Sequence, residues 1–170
     1  MSLFGSQRDI SLFRHLNREL MWDVITQQCA VYKLKLSETK FNIYGEASGE
    51  KYYYDPVLIN VLIQRGDKIQ PSSEMGVDFT REMEFRFLRD DLVDAKLVVE
   101  VGDIVLYQES YFEVGTVNDN QLIVGKDPAY PYNQNPLNPG LENFGYNVSV
   151  TCVCHYVPAD RVNIVRTRLL

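Results

Sequence analysis

The sequence is poor in the residues that most often carry metal, redox or nucleophilic chemistry. Its 170 residues include three cysteines, two histidines and one tryptophan. No stretch approaches the ~18–20 uninterrupted apolar residues of a membrane helix, which excludes that kind of span. Residues 1–7 lack a basic start followed by an apolar run, so we expect no secretory signal and reduced thiols.

Basic charge is also scarce. Lys and Arg number 17 against 23 Asp and Glu, for a formal net charge of −6. Tight binding to nucleic acid needs clustered cations that neutralise phosphates, and no basic run here exceeds two residues. The other fractions, 45% hydrophobic and 24% charged, are those of an ordinary globular domain. We therefore predict one domain over residues 1–170, with an N-terminal helical segment (1–27) and a β domain (28–170).

The start of the chain has the spacing of an amphipathic helix that ends near Thr26. Its simplest interpretation is a helix whose apolar stripe packs on the chain's own sheet. The alternative is a helix docked on a neighbouring subunit. The stripe consists of Ile10, Phe13, Leu16, Leu20, Met21 and Val24.

From Cys29 onward the hydrophobic period drops toward two, with turn signals about every ten residues. This pattern predicts a mainly β fold, a β-sandwich or β-barrel of about eight short antiparallel strands. The alternation is clearest in residues 79–87 and 147–157. A short helical stretch interrupts it at residues 89–96, where we expect Leu92 and Val93 to face inward.

A long loop, residues 125–145, is rich in proline and asparagine. Loops this long inside a compact domain are uncommon and often functional. Rigid prolines beside tyrosines suit a protein contact, whereas the simpler interpretation is a loop that covers one end of the β domain. The loop residues that would make such a contact are Asp127, Pro128, Tyr130, Tyr132, Asn135 and Phe144.

The candidates for chemistry are weak. Cys152 and Cys154 lie on one face of a strand, and alternation puts His155 on the other face, so we expect no zinc site. Asp90, Asp91 and Asp94 form a carboxylate cluster that fits a solvated helix start. Phosphate-binding loops and nucleophile elbows are absent from the sequence. We predict no catalytic residues, no metal and no cofactor.

Several segments resemble the neck proteins of contractile-tailed bacteriophages, the head-completion or head-to-tail connector class of T-even-like phages. The similarity spans roughly residues 30–155, and its motifs are structural. The segments that carry it are Tyr32–Leu34, Asn42–Glu46, Tyr52–Pro56, Gly102–Tyr107, Tyr111–Val114, Val124–Tyr130 and Tyr146–Val150.

The resemblance implies a structural virion protein without enzymatic activity. It would form a ring, a hexamer or possibly a dodecamer, at the head–tail junction after assembly in the host cytoplasm. Portal and adaptor proteins would lie above the ring, with tail terminator and tail tube proteins below. The ring would act as a connector or stopper, and genomic DNA would pass its lumen without specific binding.

A ring of identical subunits needs two complementary patches on each copy. Pairing of edge strands between subunits is another possible contact. We take the candidate patches from the N-terminal helix, the long loop and the arginine-bearing C-terminus. The candidate interface residues are Ile10, Phe13, Arg14, Asp127, Pro128, Tyr130, Tyr132, Asn135, Phe144, Arg166 and Arg168.

Other interpretations stay open. Within the same neck, the chain could form the tail terminator or adaptor ring. A carbohydrate- or receptor-binding module on the virion surface would use aromatic side chains such as Tyr130, Tyr132 and Phe144. A carboxylate hydrolase would need the cluster at residues 90–94 to lie in a cleft with unequal environments.

Overall fold

A computed structural model describes residues 7–39, 51–66, 72–73, 76–77, 81–119 and 148–164. Helix α1 (Gln7–Glu19) continues into a π-helical segment, Leu20–Ile25. Thr26 then ends the helix in the left-handed conformation, with φ 50° and its N–H bonded to the carbonyl of Met21. This end confirms the helix boundary predicted from the sequence.

The β domain is a closed antiparallel barrel. Its strand order is β1-β2-β5-β8-β7-β6, and β3 and β4 form a separate two-stranded sheet. The mainly β prediction is confirmed, with six of the eight described strands in the barrel. The strands are β1 (Gln28–Tyr32), β2 (Val57–Arg65), β3 (Ser72–Ser73), β4 (Gly76–Val77), β5 (Glu82–Leu88), β6 (Ile104–Tyr107), β7 (Ser110–Asn118) and β8 (Ser149–Val157).

Alternate side chains of these strands fill the barrel, because successive residues point to opposite faces. Phe85 and Phe87 of β5 and Phe112 of β7 are fully buried. The rings of Phe85 and Phe112 meet edge to face at 5.7 Å between centroids. Cys152 and Cys154 of β8 lie in the same core, as the alternation of the sequence predicted.

The β6–β7 hairpin coincides with the clearest part of the phage resemblance. Gly102, at φ 93°, and Asp103 turn the chain into β6. The Asp103 carboxylate is 1% exposed and accepts hydrogen bonds from the backbone N–H groups of Leu34 (3.0 Å) and Glu100 (2.8 Å). The Lys33 ammonium lies 3.1 Å from the same carboxylate. The Gly-Asp pair is thus an anchor for β6.

Two expectations fail in this region of the fold. Helix α2 (Arg89–Asp94) confirms the predicted short helix, but Val93 is 63% exposed while Leu92 is buried. Adjacent helical side chains diverge by about 100°, so both cannot face one core. The expectation of a free edge strand is also wrong for the six barrel strands, because each has a hydrogen-bonded neighbour on both sides over at least part of its length.

Candidate protein-interaction site

Helix α1 attaches to the barrel through a polar side. Arg14, Arg18 and Trp22 are spaced four residues apart, which places them on one side of the helix. The Arg14 guanidinium donates two hydrogen bonds to the Asp90 carboxylate, one from Nε at 2.9 Å and one from Nη2. This bonding raises the pKa of Arg14 above its ordinary value, against the opposing effect of burial. The pair fixes the N-terminal half of the helix over α2.

The next turns of the helix contact the other two carboxylates of α2. The Trp22 Nε1–H donates to both oxygens of Asp91, at 3.2 and 3.1 Å. Arg18 lies 3.4 Å from Asp91 and 2.6 Å from Asp94, and its guanidinium is 5.3 Å from the Trp22 ring centroid. We call these six side chains the polar latch: Arg14, Arg18, Trp22, Asp90, Asp91 and Asp94.

The expectation that Asp90, Asp91 and Asp94 form a solvated cluster is wrong, because all three belong to the polar latch. The Asp91 side chain is only 5% exposed, and Asp90 and Asp94 are each ion-paired to an arginine. Their partners lie 69–76 residues earlier in the sequence. All three carboxylates therefore contact side chains of helix α1 or of its π-helical extension.

The opposite side of helix α1 is apolar and faces solvent. Two residues along a helix turn a side chain by about 200°, so Leu16 and Leu20 point away from Arg14 and Arg18. We call this surface the outward face. Its side chains are exposed by about half: Leu12 56%, Phe13 56%, Leu16 49% and Leu20 47%.

Packing on the chain's own sheet is therefore confirmed for Met21 and wrong for the other described side chains of the stripe. Met21 is the buried residue of the π-helical segment, while Val24 is 71% exposed. The physical reason is the latch, since the charged side of the helix finds its partners on α2 and turns the apolar side outward.

An open groove of about 380 Å³ runs between the C-terminal half of this helix and the barrel. We call it the helix groove. Its walls are mostly apolar, and Arg86 of β5 contributes a cation. The lining residues are Asn17, Leu20, Met21, Ile25, Leu62, Arg86, Phe87, Leu88, Val148 and Ser149.

A second pocket, of about 320 Å³, lies at the outer face of β7 and β8. It has mixed charge, with the Lys51 ammonium 2.6 Å from the Glu113 carboxylate and with His155 and Arg161 in its wall. Burial, with help from Glu113, raises the pKa of the Tyr53 phenol in the same wall. Because its charges are largely paired within the chain, this pocket is a weaker candidate than the helix surface.

The thiols have a structural environment. Cys29, Cys152 and Cys154 are buried, and burial raises the pKa of Cys29 and Cys152 to about 12. His155 is exposed on the other side of β8, as alternation predicted. Within the described ranges, no group of three or more His, Cys, Asp or Glu side chains could hold a metal ion.

The structure brings two of the sequence-predicted site residues together on α1. Phe13 belongs to the outward face and Arg14 to the polar latch. Ile10 lies within α1, but its side chain is outside the described part. The other candidates also lie outside the described residues: Asp127, Pro128, Tyr130, Tyr132, Asn135, Phe144, Arg166 and Arg168.

Sequence reasoning missed Leu12, Trp22 and the role of the three aspartates. A signal was present, because Arg14, Arg18 and Trp22 form a second stripe with a spacing of four residues. That stripe lies opposite the apolar one and predicts a helix with two contacting sides.

No protein-family model matches the chain, and no curated protein sequence matches it either. None of the helices in the described residues is long and apolar enough to cross a membrane. The surface of helix α1 and of the barrel beside it therefore carries the functional inference.

Proposed function

We propose that this chain is a structural subunit of a phage neck. It forms a connector or stopper ring that joins the DNA-filled head to the tail and helps to retain packaged DNA. The observation that carries the proposal is the outward face of helix α1. Contiguous apolar side chains exposed on a folded domain mark an interaction surface more often than isolated ones do.

Burial of the outward face can contribute part of the free energy of assembly. Full burial of a large aliphatic or aromatic side chain contributes about 1.5–3 kcal/mol. Four half-exposed side chains can therefore contribute about 4 kcal/mol on docking, which is roughly a 1,000-fold gain in affinity. The other contacts of a ring would offset the rest of the entropy lost on association, which costs about 4–15 kcal/mol.

The sequence resemblance to neck proteins and the location of its motifs agree with a structural role. Gly102–Tyr107 and Tyr111–Val114 form a single hairpin anchored by the buried Asp103. These motifs build the barrel and expose no cluster for chemistry, which suits a scaffold whose function lies in its contacts.

The charge of the chain fits passage of DNA. A net charge of −6 offers few cations to the phosphates, so a lumen of this composition would release counterions poorly and hold DNA weakly. DNA could then slide through the ring without specific binding.

The decisive experiment is a nonsense codon at Trp22 in the phage genome that encodes the chain, followed by electron microscopy of the lysate. We expect separate tails beside unjoined heads, and the filling of those heads reports whether the ring retains DNA. Joined particles that fail to adsorb would refute the neck role and favour a surface-binding module.

Complementation from a plasmid then tests the surface itself. We expect wild-type chain to restore joined particles and Leu16→Asp to restore few of them. Val93→Asp is the matched control, because Val93 is equally apolar, 63% exposed and outside the outward face. Equal rescue by both variants would contradict a role for helix α1 in the junction.

A further inference from the structure

We infer that the outward face of helix α1 docks into the helix groove of a second copy of this chain, head to tail. The inference rests on the proposed ring and names the partner of the same surface. Its basis is that one chain exposes two different apolar surfaces, a projecting one and a concave one. A heterologous contact, which closes into rings, requires such a pair.

The two surfaces adjoin along the same helix and share Leu20, which belongs to the outward face and also lines the groove. Asn17, Met21 and Ile25, four residues apart, line the groove. Leu12 and Glu19, seven residues apart, lie on the opposite side, because each is turned by about 140–160° from the groove side. One copy can therefore offer Leu12 and Leu16, which do not line the groove, to a neighbour while its own groove stays open to a third copy.

The charges of the two surfaces are complementary. Glu19 and Asp23 border the outward face, are exposed, and make no ion pair with any described residue. Arg86 stands in the groove wall with a side chain that is 38% exposed. Its guanidinium donates to Glu84 at 2.7 Å and to Gln64 at 2.9 Å, and it has five N–H donors in total. A second copy would supply the carboxylates of Glu19 and Asp23, which can accept hydrogen bonds from the remaining Arg86 N–H groups.

The groove also has a suitable size and chemistry. Its volume of about 380 Å³ has room for several water molecules. Leu62 and Leu88 in its walls offer those waters few hydrogen bonds. Leu12 and Leu16 of a neighbouring copy would displace the water, which is the favourable step in apolar association. Other partners, such as a different ring protein on the same face, are outcomes of the test.

The test is disulfide trapping between two differently tagged full-length chains, one Leu16→Cys and the other Leu62→Cys. Leu62 is 40% exposed, and the native thiols are buried, so background cross-linking is low. After mixing and mild oxidation, we expect at least tenfold more mixed dimer than from Val93→Cys paired with Leu62→Cys. A yield equal to that control would overturn the inference.

The cross-linked products on the same gel also distinguish a head-to-tail contact from a contact between two outward faces. Preferential Leu16→Cys homodimers would show that two outward faces meet each other, which also overturns the inference. Adding Asp23→Lys to the Leu16→Cys chain should lower the mixed-dimer yield several-fold. Asp160→Lys is the matched control, since Asp160 is exposed outside the helix and should leave the yield unchanged.

The outcome is separable from that of the proposed function. If trapping fails while the Trp22 nonsense lysate contains unjoined heads, the neck role stands and the assigned contact is wrong. If trapping succeeds while the lysate contains joined particles, the contact stands and the chain assembles for a different purpose.

Discussion

Substitution of Asp91 by alanine should release helix α1 without unfolding the barrel. The Asp91 carboxylate is nearly buried and accepts the Trp22 indole N–H, while Arg18 lies 3.4 Å away. A hydrogen bond to a charged acceptor contributes about 1.5–3 kcal/mol. The Arg18 ion pair adds only about 0.5 kcal/mol, because the arginine is 41% exposed and screened.

We therefore expect the docked state of the helix to lose about 2 kcal/mol, or roughly a 30-fold rise in its undocked population. An isolated helix of this length is marginal in water, so undocking exposes its amides to exchange. Hydrogen exchange of residues 14–22 should accelerate by that factor. Quenching of Trp22, the single tryptophan of the chain, should increase in parallel.

Asp94→Ala is the matched control on the same helix. Its side chain is 60% exposed, so its pair with Arg18 contributes about 0.5 kcal/mol and its loss should roughly double the undocked population. Equal acceleration in both variants would refute the assignment of the latch to the buried carboxylate. A fall in barrel stability in Asp91→Ala would refute independent docking of the helix.

Two further predictions concern the barrel. Asp103→Ala removes the acceptor of two backbone N–H groups and one of the three partners of the Lys33 ammonium, so the free energy of unfolding should fall by about 3 kcal/mol in urea titration. Asp160→Ala should change it by less than about 0.5 kcal/mol. An equal effect of the two variants would contradict the anchor role. The second prediction concerns the three thiols. A thiol-reactive disulfide reagent should label no cysteine of the folded chain at pH 8 and all three in denaturant. Burial raises the pKa of these thiols above the ordinary 9.0, so the thiols of the unfolded chain ionise first and the free energy of unfolding should decline as pH rises from about 9 to about 12. A constant free energy of unfolding over that window would contradict the burial of Cys29, Cys152 and Cys154.

Strand positions could be predicted from the sequence because the period of two is a local property. Residues 149–157 alternate, and the structure places Cys152 and Cys154 inside with His155 outside. The same local logic located the hairpin between β6 and β7. Closure of the barrel could not be predicted, since pairing of β1 with β6 joins residues more than seventy positions apart.

For the candidate site, local periodicity was not enough to predict which side of helix α1 is exposed. A stripe such as Phe13, Leu16 and Leu20 identifies an apolar helix face but does not say what covers it. The exposed side was decided by the bonds of Arg14 to Asp90 and of Trp22 to Asp91. These partners lie so far apart in the sequence that a local pattern cannot pair them. Periodicity therefore predicted the helix and its apolar stripe, whereas charge pairing at long range decided which side turned outward.

Closure of the barrel has a consequence for how the protein can accumulate before use. Each of the six barrel strands has a neighbour on both sides, and the one-sided stretches are short, such as residues 62–65 of β2 and 115–118 of β7. Growth into cross-β fibrils therefore finds only short starting edges on the described barrel. The side chains on the outside of the barrel, more than its backbone, then decide what the barrel binds.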